Sequence, residues 1–541
     1  MTRALVEHRR SRGETKKAEL LRRDAVNDRA RRCMILIEIV AATDASGATQ
    51  TFFLSDGEFI TSPSDTPANV AFIPRLENAG EIGLHIFSDG TTGGGTALEI
   101  GSIEITNNDG LYDAFRSFSF DGRPITIRSG PAGGRYPDDF PIVLTCTAEG
   151  VQPDWDAMTI RLRDKQFMFE RPAGRTRYLG NNALPNGLEG TAEDLKDTFK
   201  PRLMGRVFNR QPYLVNTSKL TFQVNDGAVV SLGVYDRGVA LTLGADYATS
   251  ALLQAATLAT GEGKFSTCLA EGYFRLHDAP AGEVRFDAIE GASAPDRTAA
   301  QILRRLALGG GLSAAEISAA DVEQLDAANS AVLGVYIEGD VTLREVMDRV
   351  AASVGGYYVF DPQGVLRMGV LRAPAGQPLI TLYDYDLGED VEVTSSNDTN
   401  VPIASATVLH TQIEAQTSDL AGSVSSDRRA FLALEYRRAT SDPTTIKNQW
   451  LLADDLTIET LLTSDADAKA EANRLVGLHG VPRLRFDVLA PVDLITQAGV
   501  WMGREVALDL NRFGLAGGRS FVVIGMRFDL GVNQVVLSLW G

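Results

Sequence analysis

From Cys33 onward the chain alternates apolar and polar positions. MILIEIVAA (34–42), TQTFFLSD (49–56), EFITS (58–62) and ALEIGSIEITNNDG (97–110) each set every second side chain on one face and are rich in β-branched and aromatic residues. Asn108-Asp109-Gly110 supplies turn chemistry at the end of the last run. PITIRSG (124–130), FPIVLTCTAEG (140–150) and AMTIRLRDKQ (157–166) continue the pattern. Short strands at roughly ten-residue spacing, separated by Gly and Asp turns, predict a sandwich or barrel. The insert FSDGTTGGGTAL (87–98) reads as a flexible hairpin tip.

Residues 171–205 break the alternation with Pro, Gly and Asn and read as a connector carrying one short helix. A second β-rich run follows in KLTFQVND, AVVSLGVYDRGVALTLGADY, GYFRLHD and EVRFDAIEG, where Asp236-Arg237-Gly238 between two alternating stretches signals a hairpin. The period then shifts to that of a helix. Ala299, Ile302, Leu303, Leu306 and Ala307 share one face, with Asp296 as the expected cap and Gly309-Gly310-Gly311 as the stop. Ser313 and Ser318 open short helices, and Thr342-Leu343-Arg344-Glu345 is a capping box. Its helix leads into YYVFDPQGVLRMGVL, with a β-turn at Asp361-Pro362-Gln363-Gly364. The last third is again β, interrupted by the Ala-rich helix DADAKAEANRLVGLHG that Gly480 ends. The acid-rich stretches 386–400 and 412–428 read as mobile loops.

The predicted fold class is therefore mainly β with α+β insertions, in a multi-domain chain of 541 residues. Its expected parts are a basic N-terminal arm (1–33), a first β-domain (34–170), the connector (171–205), a second β-rich domain (206–295), an α/β helix-hairpin domain (296–395) and a C-terminal β-barrel-like domain with one helix (396–541).

Charge sharpens this division. Residues 1–33 carry eleven Lys/Arg against five acids, a net of +6, within a chain of net charge −18, so the remainder stands at −24. An acidic body repels phosphate, which argues against nucleic-acid binding by the bulk. The arm has too few apolar positions (Leu5, Leu20, Leu21, Val26) for a helix to be stable alone, and an acidic neighbour is the surface it would dock on. No apolar run is long enough to span a membrane, and the first residues lack the apolar segment of a secretory signal.

Chemistry is sparse. Cys33, Cys146 and Cys268 and the five histidines are scattered without metal-ligand spacing, so no metal-binding residue and no disulfide framework is expected. The stretch LPNGLEGTAEDLKDTFKPRLMGRV (184–207) sets Gly187 and Gly190 before an expected helix start at Thr191. A phosphate loop would need a lysine after the second glycine, or a third glycine following a buried strand; neither is present, and the first turn is acidic. It is read as a turn with Thr191 as cap and Pro201 as stop. Asp109, Asp113, Asp121, Asp138 and Asp139 match no calcium loop and read as turn formers. No nucleophile elbow is present. The expectation is no catalytic, cofactor-binding or metal site, and no enzyme.

The runs YLGNNALPNGLEGTAEDLKDTFKPRLMGRVFN, LTFQVNDGAVVSLGVYDRGVALT, DRTAAQILRRLA and LREVMDRVAASVGGYYVFDPQGVLRMG, in that order, resemble a family of tail-tip proteins of long-tailed, siphovirus-like bacteriophages, the baseplate hubs. The helix followed by YYVFDPQGVLRM, and the closing strands ending VNQVVLSLWG, are similar to hub elements. The resemblance implies tube-like β-barrel domains closing a homotrimeric ring that adapts the six-fold tail tube to three-fold symmetry, anchors a central fibre or spike and surrounds the DNA ejection channel. Implied partners are copies of the chain itself, the distal tail protein, the tape-measure protein and the fibre or spike protein. The implied location is the virion, after synthesis in the host bacterial cytoplasm. The alternatives are a hexameric distal tail protein, a tail-tip cell-wall hydrolase, and a carbohydrate-binding receptor module. The last would need exposed loop aromatics, whereas the four tryptophans lie mostly within or beside predicted strands.

Overall fold

The computed structural model describes residues 33–87, 96–183, 185–261, 263–388, 391–395 and 401–541. The basic arm and most of the glycine-rich tip lie outside the described residues, as does part of the acidic stretch 386–400.

The chain is mainly β, as the alternation predicts, with its strands in several sheets and a minority of helix. Nine strands from residues 33–163 form one sheet. Strand Cys33–Ala42 pairs antiparallel with Thr49–Ser55 on one side and Pro124–Pro131 on the other. Period-two geometry divides its side chains cleanly. Ile35, Ile37, Ile39 and Ala41 enter the largest apolar core. Leu36 points the other way into a small aromatic core with Phe72, Tyr136 and Phe140. On that second face Glu38 accepts hydrogen bonds from Arg128 Nε (2.9 Å) and the Tyr136 hydroxyl (2.6 Å).

The largest core is not confined to that sheet. Strand Glu81–His85 pairs antiparallel with Arg519–Asp529 of the C-terminal sheet, setting Ile82 opposite Phe528 and Leu84 opposite Met526. One continuous apolar cluster therefore runs from Ile35 through Phe115 and Ile160 to Phe486, Phe521 and Trp540. The partner strand Ala97–Ile100 completes a hairpin with Glu81–His85 around the glycine-rich insert.

Between these parts lies a sandwich. One five-stranded sheet runs Val239–Ala240, Ser231–Asp236, Val284–Ile289, Arg202–Arg210, Gly334–Ile337; the other runs Tyr213–Asn216, Thr221–Gln223, Tyr273–Leu276, Lys264–Cys268, Thr242–Asp246. They close on a shared core in which Phe222 and Phe274 stack at 4.9 Å. The hairpin at Asp236-Arg237-Gly238 is present: Tyr235 faces Ala240, Asp236 faces Val239, and Arg237 and Gly238 both have positive φ (49° and 81°).

The third layer is α/β. Helices Ala299–Gly309, Ala319–Ala328 and Leu343–Ala352, hairpin Gly356–Phe360/Leu366–Val370, and the small sheet Arg437–Thr440, Ser405–His410, Asp455–Glu459 with helix Asp465–His479 share one core. The capping box is formed, with Glu345 N donating to Thr342 Oγ1 at 3.2 Å and Thr342 N donating to the Glu345 carboxylate at 2.7 Å.

Three sequence expectations are corrected. Residues 191–199 form turns and no helix; the Thr191 hydroxyl donates to Asp194 (2.7 Å), and the segment is too short to offset the cost of helix nucleation. Asp296 caps only the 3₁₀ turn Ala294–Arg297 by a box with Ser293, while Thr298 caps Ala299–Gly309. The stretch 412–428 is tied down, as described next.

Candidate assembly surfaces

Residues 412–432 leave the α/β layer and cross the sandwich as a strap. The buried guanidinium of Arg285 is held between Glu283 and Glu414, both in ion-pair contact. Arg210 approaches Glu414 at 3.9 Å, and Arg237 pairs with Asp419 at 3.0 Å. Main chain joins in: Ala421 N donates to Arg237 O (2.9 Å), Glu283 N to the Asp419 carboxylate (2.8 Å), and Asn209 Nδ2 to Glu414 O (2.8 Å). Arg428 lies over the Tyr235 ring at 4.2 Å. The acids of this stretch sit opposite arginines of the sandwich, which is why acid content alone misjudged it as free.

The connector is latched to the other side of the sandwich. Asn216 Nδ2 donates to the carbonyls of Pro185 (2.9 Å) and Gly187 (2.7 Å), and Lys219 Nζ to Asn186 Oδ1 (2.7 Å). Lys200 pairs with Glu189 at 2.7 Å. The amides that a phosphate would need are already used: Gly187 N donates to Ala183 O, Glu189 N to Asn182 Oδ1 and Gly190 N to Val215 O. The stretch is a buckle.

Three of the acids weighed as metal ligands are held by other groups of the protein. Asp109 is clamped by Arg75, whose hydrogen bonds hold its carboxyl down to about 2. Asp113 accepts from Asn107 Nδ2 (3.0 Å), and Asp139 from Arg135 N (2.7 Å). Among the described residues no group of three or more His, Cys, Asp or Glu could hold a metal ion, and no helix is long and apolar enough to cross a membrane. Burial, with Arg474 and Arg483 nearby, lowers His479 to about 4, and burial raises Asp164 to about 6.

Two of the sandwich's four edge strands differ sharply. Gly334–Ile337 is sealed, because Gly334 N donates to Leu461 O and Leu333 bridges Leu462 of the α/β layer. Thr242–Asp246 is open: it pairs in parallel with Lys264–Cys268 and is solvent-exposed at every residue, Leu243 included. Trp155 stands fully exposed on the turn between Ile142–Pro153 and Ala157–Arg163, which the placement of tryptophans near strands did not anticipate.

No family model and no curated protein matches the chain. Among solved structures it is similar to the tail protein from Neisseria meningitidis MC58 (TM-score 0.41, 11% identity, covering 94% of this chain and 96% of that one). It is similar also to the prophage MuSo2 43 kDa tail protein from Shewanella oneidensis (TM-score 0.38, 13% identity, 94% and 95% covered). A third is the prophage tail protein gp18 from Listeria monocytogenes EGD-e (TM-score 0.39, 7% identity, 93% and 94% covered). These overlays transfer neither activity nor partners to this chain.

Proposed function

We propose that the protein is a structural component of a bacteriophage tail tip, a baseplate hub that assembles as a ring of identical copies and performs no catalysis. The observation that carries this reading is the open strand Thr242–Asp246. A strand edge exposed along its whole length invites main-chain pairing with another chain, and a closed ring satisfies such edges without leaving a free end. Support comes also from the motifs that resemble hub proteins, which fall in the buckle, the sandwich and the helix-hairpin unit. The acid excess outside the basic arm suits a channel wall, because it offers DNA phosphates no counter-charge.

In this reading three copies form the ring, the distal tail protein and tape-measure protein lie on one side and the fibre or spike on the other, and the basic arm docks on the acidic body of a neighbour. Electron microscopy of the assembled particle tests it. A three-fold ring is the expected result; a six-fold ring assigns the chain as the distal tail protein; a monomer absent from the particle removes the reading altogether.

A further inference from the structure

Large exposed apolar side chains are scattered singly along the described residues except at one place. Leu451 and Leu452 adjoin and are 83% and 82% exposed, and no other two adjoining large apolar residues among those described are exposed together. A single exposed apolar side chain is ordinary, whereas a contiguous group marks a surface that meets something. The loop that carries the pair is anchored on both sides. Thr444 Oγ1 donates to Ala404 O (2.7 Å), and Ala404 N donates to Asp454 O (2.8 Å). Trp450 N donates to Ile446 O (2.8 Å) and Ala453 N to Trp450 O (3.0 Å), so the chain turns, buries Ala453 and leaves both leucines outside. Ile446 packs against Gly480, where a Cβ would stand 2.9 Å from its δ-carbon. The exposure is therefore held by hydrogen bonds and packing, and is no fraying of a loose tip.

The rim is acidic. Residues 441–459 carry Asp442, Asp454, Asp455 and Glu459 against Lys447. Lys447 is engaged by Asp455 at 3.3 Å, whereas Asp454 is exposed and its carboxylate has no hydrogen bond or ion pair among the described residues. Two such patches laid face to face would bring like charges together, and an anionic lipid or nucleic-acid surface would be repelled as well. The surface fits a segment that carries apolar residues between positive charges.

The chain contains such a segment, in the basic arm outside the described residues. Lys16-Lys17-Ala18-Glu19-Leu20-Leu21-Arg22-Arg23 brackets a leucine pair with two basic pairs. Leu21 precedes Cys33 by twelve positions, a reach of up to about 40 Å at ~3.3 Å per residue, which is long enough to cross a seam between copies.

We propose that the Leu451–Leu452 patch receives the basic arm of a neighbouring copy, with Leu20 and Leu21 on the two leucines and Arg22 and Arg23 facing Asp454 and Asp455. The proposal rests on the reading of the chain as a ring of copies and names the surface on which the arms dock. Each copy gives one arm and receives one, so the contact runs head to tail and closes with the ring.

The test uses full-length Leu21→Cys and Leu452→Cys chains, mixed, allowed to assemble and mildly oxidised, with the oligomeric state read by mass photometry. Each variant oxidised alone accounts for links through Cys33, Cys146 and Cys268. A disulfide-linked dimer formed by the mixture and by neither variant alone is the expected result. Asp454→Lys in the receiving chain is expected to lower its yield about threefold, and Arg22→Glu in the arm to restore it, a recovery that a merely damaged surface would not give. A yield that Asp454→Lys leaves unchanged overturns the charge match, and the proposal with it. A link found only within a single chain bearing both cysteines places the arm on its own body and overturns the proposal. Rings that assemble without the link overturn it and leave the ring reading standing; monomers without the link overturn both.

Discussion

Two joints hold this chain together, and they are made of different materials. The first sheet and the C-terminal sheet are joined by a ladder, Glu81–His85 against Arg519–Asp529, over one continuous apolar core. The sandwich and the strap are joined by ion pairs around Arg285, Arg210 and Arg237. The first joint draws its stability from area removed from water, which salt barely touches. The second depends on charges whose desolvation cost nearly offsets their attraction, so it is conditional on both partners being present and ionised. A joint of the first kind welds; one of the second kind registers two parts against each other.

The sharpest way to break that contrast is Phe486→Ala. Phe486 is fully buried and packs on Phe521 at 5.1 Å. Its truncation is expected to cost about 3–5 kcal/mol in denaturant unfolding, with the first and the C-terminal sheets lost in one transition. Separate transitions for the two would show that the ladder does not weld them.

Acid attacks the same joint by another route. His479 lies beside Trp540 (5.9 Å), and its folded value of about 4 is below the 6.5 of a free imidazole. The unfolded chain therefore binds the extra proton first, so this contribution is complete above pH 6.5 and falls away down to about pH 4, a loss of about 3 kcal/mol. Asp164, raised to about 6, works in the opposite sense across nearly the same window, since its protonated folded form loses stability as pH rises from 3.8 to 6. The informative measurement is hence His479→Gln against the natural chain. The variant is expected to lose less stability between pH 6.5 and 4, and an identical acid limb would discount His479.

Glu414→Ala should leave Arg285 with Glu283 as its remaining ion-pair partner and cut its link to the strap. Since Glu414 is partly open to water, about 2 kcal/mol is expected, with local hydrogen exchange in 412–432 rising while the welded core stays protected. Exchange that rises equally everywhere would erase the distinction between the joints. Smallest of all, Asp109→Asn removes a clamp on the surface, and no resolvable change in melting temperature is expected because exposed pairs are screened.

What the sequence discloses follows the range of the interactions involved. Alternation, the capping box at Thr342 and the turns at Arg237-Gly238 and Asp361–Gly364 depend on neighbours a few residues away, and they appear in the structure where the pattern places them. The failed helix at 191–199 shows the limit even of local signals, since a cap residue alone does not offset the nucleation cost of so short a segment. Neither joint was legible. Nothing about EIGLH marks it for a strand four hundred residues on, and nothing in the strap's acids names Arg285 as their counterpart.

The inserted strand Glu81–His85 sets an order of events at the ribosome. Ile82 cannot find Phe528 until nearly the whole chain has been made, so the core begun by the first sheet has to wait with one side open. A message cut short anywhere before the last strands yields a polypeptide whose apolar face has no cover, fit for a chaperone or a protease. Completion of translation thereby becomes the condition for closing the largest core, written into the path of the backbone itself.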